Sequence, residues 1–474
     1  MSFQSLHFFV FLTAVILLNH RLAGHAGLRK SMLLFASYYF YMCWDWRFAL
    51  LVMFVTLVNF VAGAGIASAS HAGGRRLWMG VAITGSLGVL AYFKYTNFFI
   101  ESVAGFARSL GLEADLPLLQ VVLPIGISFF TFQSLTYPLD IYRGKQQPTR
   151  SLRDFALFVA FFPTLLSGPI TRANQFLPQL ARPCVLRDDT CREGFLLMIR
   201  GFVKKIAFAD VLAAHLVNPA FAAPSEHSSL FLLLAVYAYS FQIYMDLSGY
   251  TDIARGAAKM LGFELIENFD RPYLATSVSN FWQRWHISMS SFFRDYLYFG
   301  VGGSRHGNVY LNLYITFLAI GLWHGAGWNF LLYGFLHGSL VAFERWLRTA
   351  RAAGGVVPLP VARPVLVQGL LIVAVFHFVA FSRVLFRAPD LEQAGQYLLQ
   401  IFVSPLATTA LPALGLAALI AAALLHLLPR GSYLSWGQRF MGLPAAAQAV
   451  GLAMTLYGLV ALSPGATGFI YFQF

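Results

Sequence analysis

Charge is what this sequence has least of: Asp, Glu, Lys and Arg make up 11% of its 474 residues, against about 25% in soluble domains. So thin a charged surface excludes a water-soluble globular protein of this length. Cysteine is scarce as well. Cys43, Cys184 and Cys191 are the only three, and no CxxC pair occurs. That excludes a disulfide framework and a structural zinc site, and free thiols are the simplest reading. No cluster of ligating residues at metal spacing occurs, so no metal is expected. Internal repeats are absent, as is any polar stretch long enough to fold as a separate soluble domain. A secretory signal is missing too: Met1 to Leu6 carries no basic residue, and the first apolar run is expected to stay as a transmembrane helix.

What is abundant is apolar sequence, 58% of the chain with 16% aromatic, and it recurs from end to end. A bilayer core takes about 20 mostly apolar residues as helix. Candidate spans fall near 5–19, 31–44, 48–67, 77–96, 117–141, 205–220, 229–248, 308–324, 328–347, 364–386, 408–428 and 441–462. The net charge of +13, from 33 basic against 20 acidic residues, points to the positive-inside rule and not to nucleic acid, because the basic residues gather between spans. Arg21, Arg29 and Lys30 follow the first span, Arg75 and Arg76 the third, and Arg143, Lys145, Arg150 and Arg153 the fifth. The exit after the fourth has Glu101, Glu113 and Asp115 with only Arg108. The N-terminus is therefore expected outside the cytoplasm. Phe155 to Ile170 is apolar, basic on both flanks and interrupted by Pro163, Gly168 and Pro169. It reads as a re-entrant or interfacial segment beside an internal cavity. The expected fold is all-α: a polytopic membrane protein with about 11–12 transmembrane helices, plus re-entrant and interfacial helices, around a central cavity or channel. It forms a single domain over 1–474, with N-terminal helices in 1–150, re-entrant and interfacial segments in 151–307, and a histidine-bearing core with C-terminal helices in 308–474.

Two stretches carry chemistry. Phe281 to Tyr298 reads FWQRWHISMSSFFRDYLY. As one helix it places Trp282, Trp285, Met289, Phe292 and Tyr296 on an apolar stripe and Arg284, Ser288, Ser291 and Asp295 opposite, the pattern of a helix lying in the membrane interface. His286 falls roughly 70° from the stripe centre at 100° per residue, either facing a cavity or hydrogen-bonded at the interface. Asn308 to Phe343 holds no Asp, Glu, Lys or Arg, and its histidines are His324 and His337. GLWHGAGWN, from Gly321 to Asn329, breaks it. Ionisable groups inside membrane segments are costly and usually functional, and burial favours the neutral imidazole, which accepts a proton as a general base does. A satisfied interhelical hydrogen bond is the alternative for His324. His337 and His377 sit in unbroken apolar runs and read as structural. Lys204 and Lys205 either hold a donor's phosphates or snorkel to the interface. Asp246, Asp252 and Arg255 either line a cavity mouth or form structural ion pairs.

GLWHGAGW preceded by WQRWHISMSSFFRDYLY resembles the membrane-bound O-acyltransferase (MBOAT) family and, within it, the membrane subunits of bacterial alginate O-acetyltransferases. Six further pieces agree in order: SYYFYMCWDWRF (Ser37 to Phe48), YFKYTNFF (Tyr92 to Phe99), LPIGISFFTFQSLTYPLDIYRG (Leu123 to Gly144), SGPITR (Ser167 to Arg172), MDLSGYTDIARGAAKMLGFELIENF (Met245 to Phe269) and FIYFQF (Phe469 to Phe474). The resemblance spans nearly the whole chain. It implies an active-site histidine at His324 and a second at His286. Trp285, Arg284, Asp295, Trp323, Asn329, Asp246 and Asp252 are the candidates for lining a substrate and donor channel. Two residues depart from the family pattern: Pro138, and Arg383 in FSRVLFRA, where an aromatic is usual.

The implied activity is an O-acyltransferase passing acetyl from a cytoplasmic thioester across a bacterial inner membrane for O-acetylation of an extracytoplasmic polysaccharide such as alginate. The donor is acetyl-CoA or an acyl-carrier protein. The acceptor is the polymer itself or a periplasmic acetyltransferase partner. Membrane lipid is the surrounding partner, and no tightly bound cofactor is expected. No G-x-S-x-G elbow is present, so a covalent acyl-enzyme on this chain is disfavoured. The rival readings are D-alanyl transfer to teichoic acid, acetylation of peptidoglycan, and a transporter or flippase without chemistry.

Overall fold

The computed structural model describes residues 1, 3–112, 116–182, 187–353, 364–407, 410–463, 465 and 469–470. Glu113, Asp115, Cys184 and 471–474 of the terminal motif lie outside the described residues. Helices form throughout, and no strand occurs among the described residues. The chain is an all-α, polytopic membrane protein. Among the described residues five helices are long and apolar enough to cross a bilayer: Trp46–Ser68, Ala72–Ser109, Ser229–Met260, Val365–Arg387 and Ala445–Leu462. A sixth crossing arises if Ala413–Leu427 and Gly431–Met441, bent by 101°, act together. Their outer faces are apolar. Ala445–Leu462 exposes Val450, Met454, Leu456, Tyr457 and Val460, a patch that lipid covers and water does not tolerate.

The other apolar runs in the sequence are shorter or interrupted, for local reasons. Leu6–Arg21 and Val309–His324 are apolar helices of 16 residues each. In the 117–141 run, the helix starts only at Ile127. Gly126 sits at φ 78° with the Leu165–Leu166 backbone where a Cβ would stand, so only glycine fits there. The 205–220 run winds through two wide i→i+5 stretches, Val203–Asp210 and Ala213–Val217, which local irregularities of this kind favour at strained or functional positions.

The chain divides into two compact units. The first comprises Met1–Met198 with Ile253–Ile266, and the second Ile199–Asp252 with Glu267–Phe474. In the first unit, Ala49–Ser68 packs against Ala72–Leu90 and Ile127–Tyr142. Buried Asn59 donates to Ser86 Oγ at 2.8 Å and Ser134 Oγ at 3.3 Å across these helices. Phe155 to Leu165 is wholly buried and broken at Phe161 into Leu152–Ala160 and Phe162–Leu165. Side chains satisfy the backbone freed around the break. Ser37 Oγ accepts from the Phe162 amide (3.2 Å), Gln133 Nε2 donates to the Phe158 carbonyl (2.6 Å), and Gln133 Oε1 accepts from Thr171 (3.3 Å). Interrupted helix in an apolar setting requires such partners.

In the second unit, Val309–His324 and Trp328–Ala353 form an antiparallel pair. Asn308 caps the first helix, its Oδ1 accepting from the Tyr310 and Leu311 amides. Gly321 lies against the Phe330 carbonyl and the Gly334 Cα, so the two backbones approach as closely as glycine allows. Val365–Arg387 packs on Trp328–Ala353.

The stretch 281–298 differs from the interfacial helix its pattern predicts. It is three pieces: Val278–Arg284, Ile287–Phe292 and the wide turn Phe293–Tyr298. Trp282, Trp285, Met289, Phe292 and Tyr296 are all buried inside the unit, and so is Ser288. The helical projection fails because His286 takes a left-handed conformation, which resets the rotation that a continuous helix carries forward.

Candidate active site

His286 stands between two short helices with φ 47° and ψ 55°. A non-glycine residue in that region is uncommon and persists only where its surroundings hold it. The holder is Asn268. Its carbonyl accepts from the Ile287 amide and its Oδ1 from the Ser288 amide, each at 2.9 Å. The Asp270 amide donates to the Arg284 carbonyl (2.9 Å) on the other side of the break. Residues 268–270 thus bind both flanks of the kink. Asn268 was not singled out by the sequence, because a lone Asn in a loop carries no pattern that marks it.

The kink turns the His286 imidazole inward. It is buried, with the Trp323 ring 5.6 Å away edge-on and Phe269 at 5.9 Å. Burial among these rings pushes its pKa from the ordinary 6.5 down to about 3, so the ring is neutral near pH 7.

His324 is the last residue of Val309–His324 and is also buried. Its ring lies 4.9 Å from Trp323, 5.0 Å from Phe386 and 6.1 Å from Tyr333. Gly325, next in the chain, has the Phe330 ring where a Cβ would project, which lets the backbone turn tightly away after the histidine. The two histidines of the sequence motifs therefore share one neighbour, the Trp323 indole, at 5.6 and 4.9 Å. Each sits at a helix break inside an aromatic shell.

The remaining predicted residues divide. Trp285 and Trp323 belong to the same buried group. Asn329 stands beside it, with its amide committed to the Leu385 and Ala388 carbonyls (3.1 and 3.0 Å). It thereby fastens the end of Val365–Arg387 and holds Phe386 against His324. Arg284 turns to the Asn280 side chain (3.0 Å) and the Asp270 carbonyl (3.4 Å), and Asp295 pairs with Arg294 at 2.8 Å. Asp246 pairs with Lys205 at 2.6 Å and accepts from the Ile470 amide at 2.7 Å. Asp252 pairs with Arg200 and with Lys204, each at 2.6 Å. Lys204 and Lys205 are thus turned to buried carboxylates and not out to an interface.

His337 and His377 are structural, as their runs imply. His337 Nδ1 accepts from Trp282 Nε1 (3.2 Å), and its Nε2 meets Ser382 Oγ (3.1 Å). Ser382 itself donates to the Val379 carbonyl, so the His337 proton is assigned to Nε2. His377 lies between the Tyr237 hydroxyl (2.9 Å) and the Val373 carbonyl (2.8 Å). Among the described residues no group of three or more His, Cys, Asp or Glu side chains is placed to hold a metal ion.

Comparison with known proteins bears on what such a site does. The model of MBOAT, the membrane-bound O-acyltransferase family, matches residues 146–383, a span that includes both histidine breaks. The chain is 39% identical over 389 residues to the protein described as "probable alginate O-acetylase" of Azotobacter vinelandii, covering 81% of this chain and 75% of that one. It is 39% identical over 391 residues to the protein of the same description from Pseudomonas aeruginosa, with 81% and 72% covered. It is 32% identical over 393 residues to the peptidoglycan O-acetyltransferase of Helicobacter pylori, with 77% and 72% covered.

Proposed function

The chain belongs to the membrane-bound O-acyltransferase family, and on that premise we propose that it moves an acetyl group from a cytoplasmic thioester to a hydroxyl of an extracytoplasmic polysaccharide such as alginate, from the inner membrane of a bacterium. That it is an acyltransferase of the membrane follows from the family. Donor, acceptor and residue roles are our reading.

The observation that carries the reading is that two buried imidazoles, each at a helix break, pack against the same indole. His324 is the general base. As the acceptor oxygen attacks the thioester carbonyl, the imidazole takes the hydroxyl proton. The C–S bond then breaks, and the proton passes to the leaving thiolate. The ester forms and a free thiol departs, so charge and atoms balance. Assistance of this kind contributes about 10²–10⁴-fold. His286, kept neutral by burial, orients the donor or polarises its carbonyl oxygen. The donor is acetyl-CoA or an acylated carrier protein. The acetyl group goes to the polymer directly or to a periplasmic acetyltransferase partner that completes the transfer. The resemblance to an H. pylori peptidoglycan O-acetyltransferase supports peptidoglycan as a second acceptor to test.

The test compares ester content of secreted polysaccharide, and of peptidoglycan, in cells carrying wild type or His324→Ala at matched membrane levels. Loss of ester with the protein still present supports the assignment, and the polymer that loses it identifies the acceptor. Unchanged acetylation removes His324 from the chemistry. Transport of an acetylated species without turnover by this chain would likewise survive the substitution.

A further inference from the structure

Arg383 is a buried cation that none of the proposed chemistry uses. It is 1% exposed, and no carboxylate lies within ion-pairing distance of it among the described residues. Its guanidinium lies over the Trp285 ring at 4.3 Å and near Tyr273 at 5.2 Å and Phe281 at 5.8 Å. One nitrogen, Nη1, donates to the Ser240 carbonyl (3.2 Å) and to the Tyr273 hydroxyl. Among the described residues Nη2 has no hydrogen-bond partner, and Nε makes no hydrogen bond either. Tyr239, adjacent in the chain to the Ser240 carbonyl that Arg383 binds, is also buried, and its hydroxyl too lacks a partner among the described residues. Arginine stays charged in proteins. An isolated buried charge is strongly disfavoured, and the aromatic shelf recovers only a small part of the desolvation.

We propose that the Nε–Nη2 edge of Arg383 is a carboxylate-binding site inside the second unit. That edge is the planar fork that takes both oxygens of a carboxylate in two parallel bonds. One guanidinium on an apolar shelf matches a monoanion. A phosphate dianion needs further cations, and the nearby Arg387 is already directed to Asn218 (3.2 Å) and Phe221. Trp285, which carries the guanidinium, packs its ring 5.0 Å from Phe269, whose ring in turn lies 5.9 Å from His286. The carboxylate comes either from a free short-chain acid such as acetate or from a uronate of the acceptor. The second source rests on the acceptor class proposed above, and the first does not.

The test titrates the purified full chain in detergent, following tryptophan fluorescence, with sodium acetate, a uronic-acid disaccharide, a neutral disaccharide and inorganic phosphate, at ionic strength held constant with chloride. The site predicts a saturable response to carboxylate and none to the neutral sugar. Saturation by acetate assigns the free acid, and saturation by the uronate alone assigns the acceptor. Arg383→Lys, which keeps the charge but loses the fork, weakens the affinity at least tenfold. If the lysine variant does not fold, Arg383→Gln, which loses both the charge and the fork, decides by abolishing saturation. No saturable response to either carboxylate, tighter binding of phosphate, or affinity unchanged in the variants overturns the proposal. The readout involves no turnover, so failure here leaves the role of His324 standing, and failure of His324 leaves this site standing.

Discussion

Replacing His286 by glycine and, separately, by alanine isolates the backbone at the kink from the imidazole. Both variants lose the ring and open the same space, and they differ by a single methyl carbon. With φ 47° and ψ 55°, that carbon sits in the left-handed region, which costs an L-residue about 1–2 kcal/mol. Against this, glycine gains freedom in the unfolded chain, which favours alanine by about 0.4–1 kcal/mol. The balance leaves the glycine variant more stable by roughly 0.5–1 kcal/mol, the reverse of the order in a helix interior, where alanine is better by about 1 kcal/mol. The assay is thermal unfolding of the purified protein in detergent, followed by tryptophan fluorescence. A change of 1 kcal/mol moves the midpoint of a domain of 150–250 residues by about 2–4 °C, and a larger chain by less. The glycine variant is expected to melt about a degree above the alanine variant. Acetyl transfer falls in both, by about 10²–10³-fold if the imidazole polarises the donor carbonyl in the transition state. An alanine variant equal to or more stable than the glycine variant refutes the strained kink.

Asn268→Ala removes the side-chain acceptor of the Ser288 amide and leaves a buried donor unmet, at about 1–3 kcal/mol. Activity is expected to fall further than the melting temperature implies, because the kink loosens, and a proportional fall would make Asn268 a purely structural residue. Asp252→Asn strands Arg200 and Lys204. Arg200 is 28% exposed, so the loss sits near the low end of about 3–5 kcal/mol, read as less monodisperse protein on size exclusion; an unchanged profile contradicts the pairing. The low pKa of His286 has a sign that can be measured. The unfolded imidazole takes a proton near 6.5 and the folded one only near 3, so the stability of the neutral ring is complete above 6.5 and is lost as pH falls toward 3. The melting temperature is expected to drop from pH 7 to pH 5, less steeply in His286→Gly, and equal slopes would argue against burial.

The helical class was legible in the composition; His324 stood out as a candidate in the uncharged run around GLWHGAGW, and His286 was named by the resemblance. The broken, buried character of Phe155 to Leu165 was legible as well, from Pro163 inside an apolar stretch. The 281–298 segment was misread as an interfacial helix, since side-chain periodicity presumes continuous rotation and one left-handed residue cancels it. Nothing in HIS announces that residue. It is set by Asn268, an Asn eighteen positions earlier in sequence, and contacts of that kind are tertiary. Where individual helices begin and end was less legible for a related reason: apolar composition does not reveal that a helix starts only after Gly126 or passes through a wide turn.

The interruption at Phe161 also constrains how the first unit is made. Its loose amide and carbonyl groups are met by Ser37 and Gln133, residues from two earlier helices of the chain. A segment so dependent cannot be released into lipid on its own during synthesis. It has to be received by Ala26–Met42 and Ile127–Tyr142 once these are in place, so the order of biogenesis follows the order of the chain, and a substitution at Gln133 is felt first as a failure of insertion and only afterwards as a failure of catalysis.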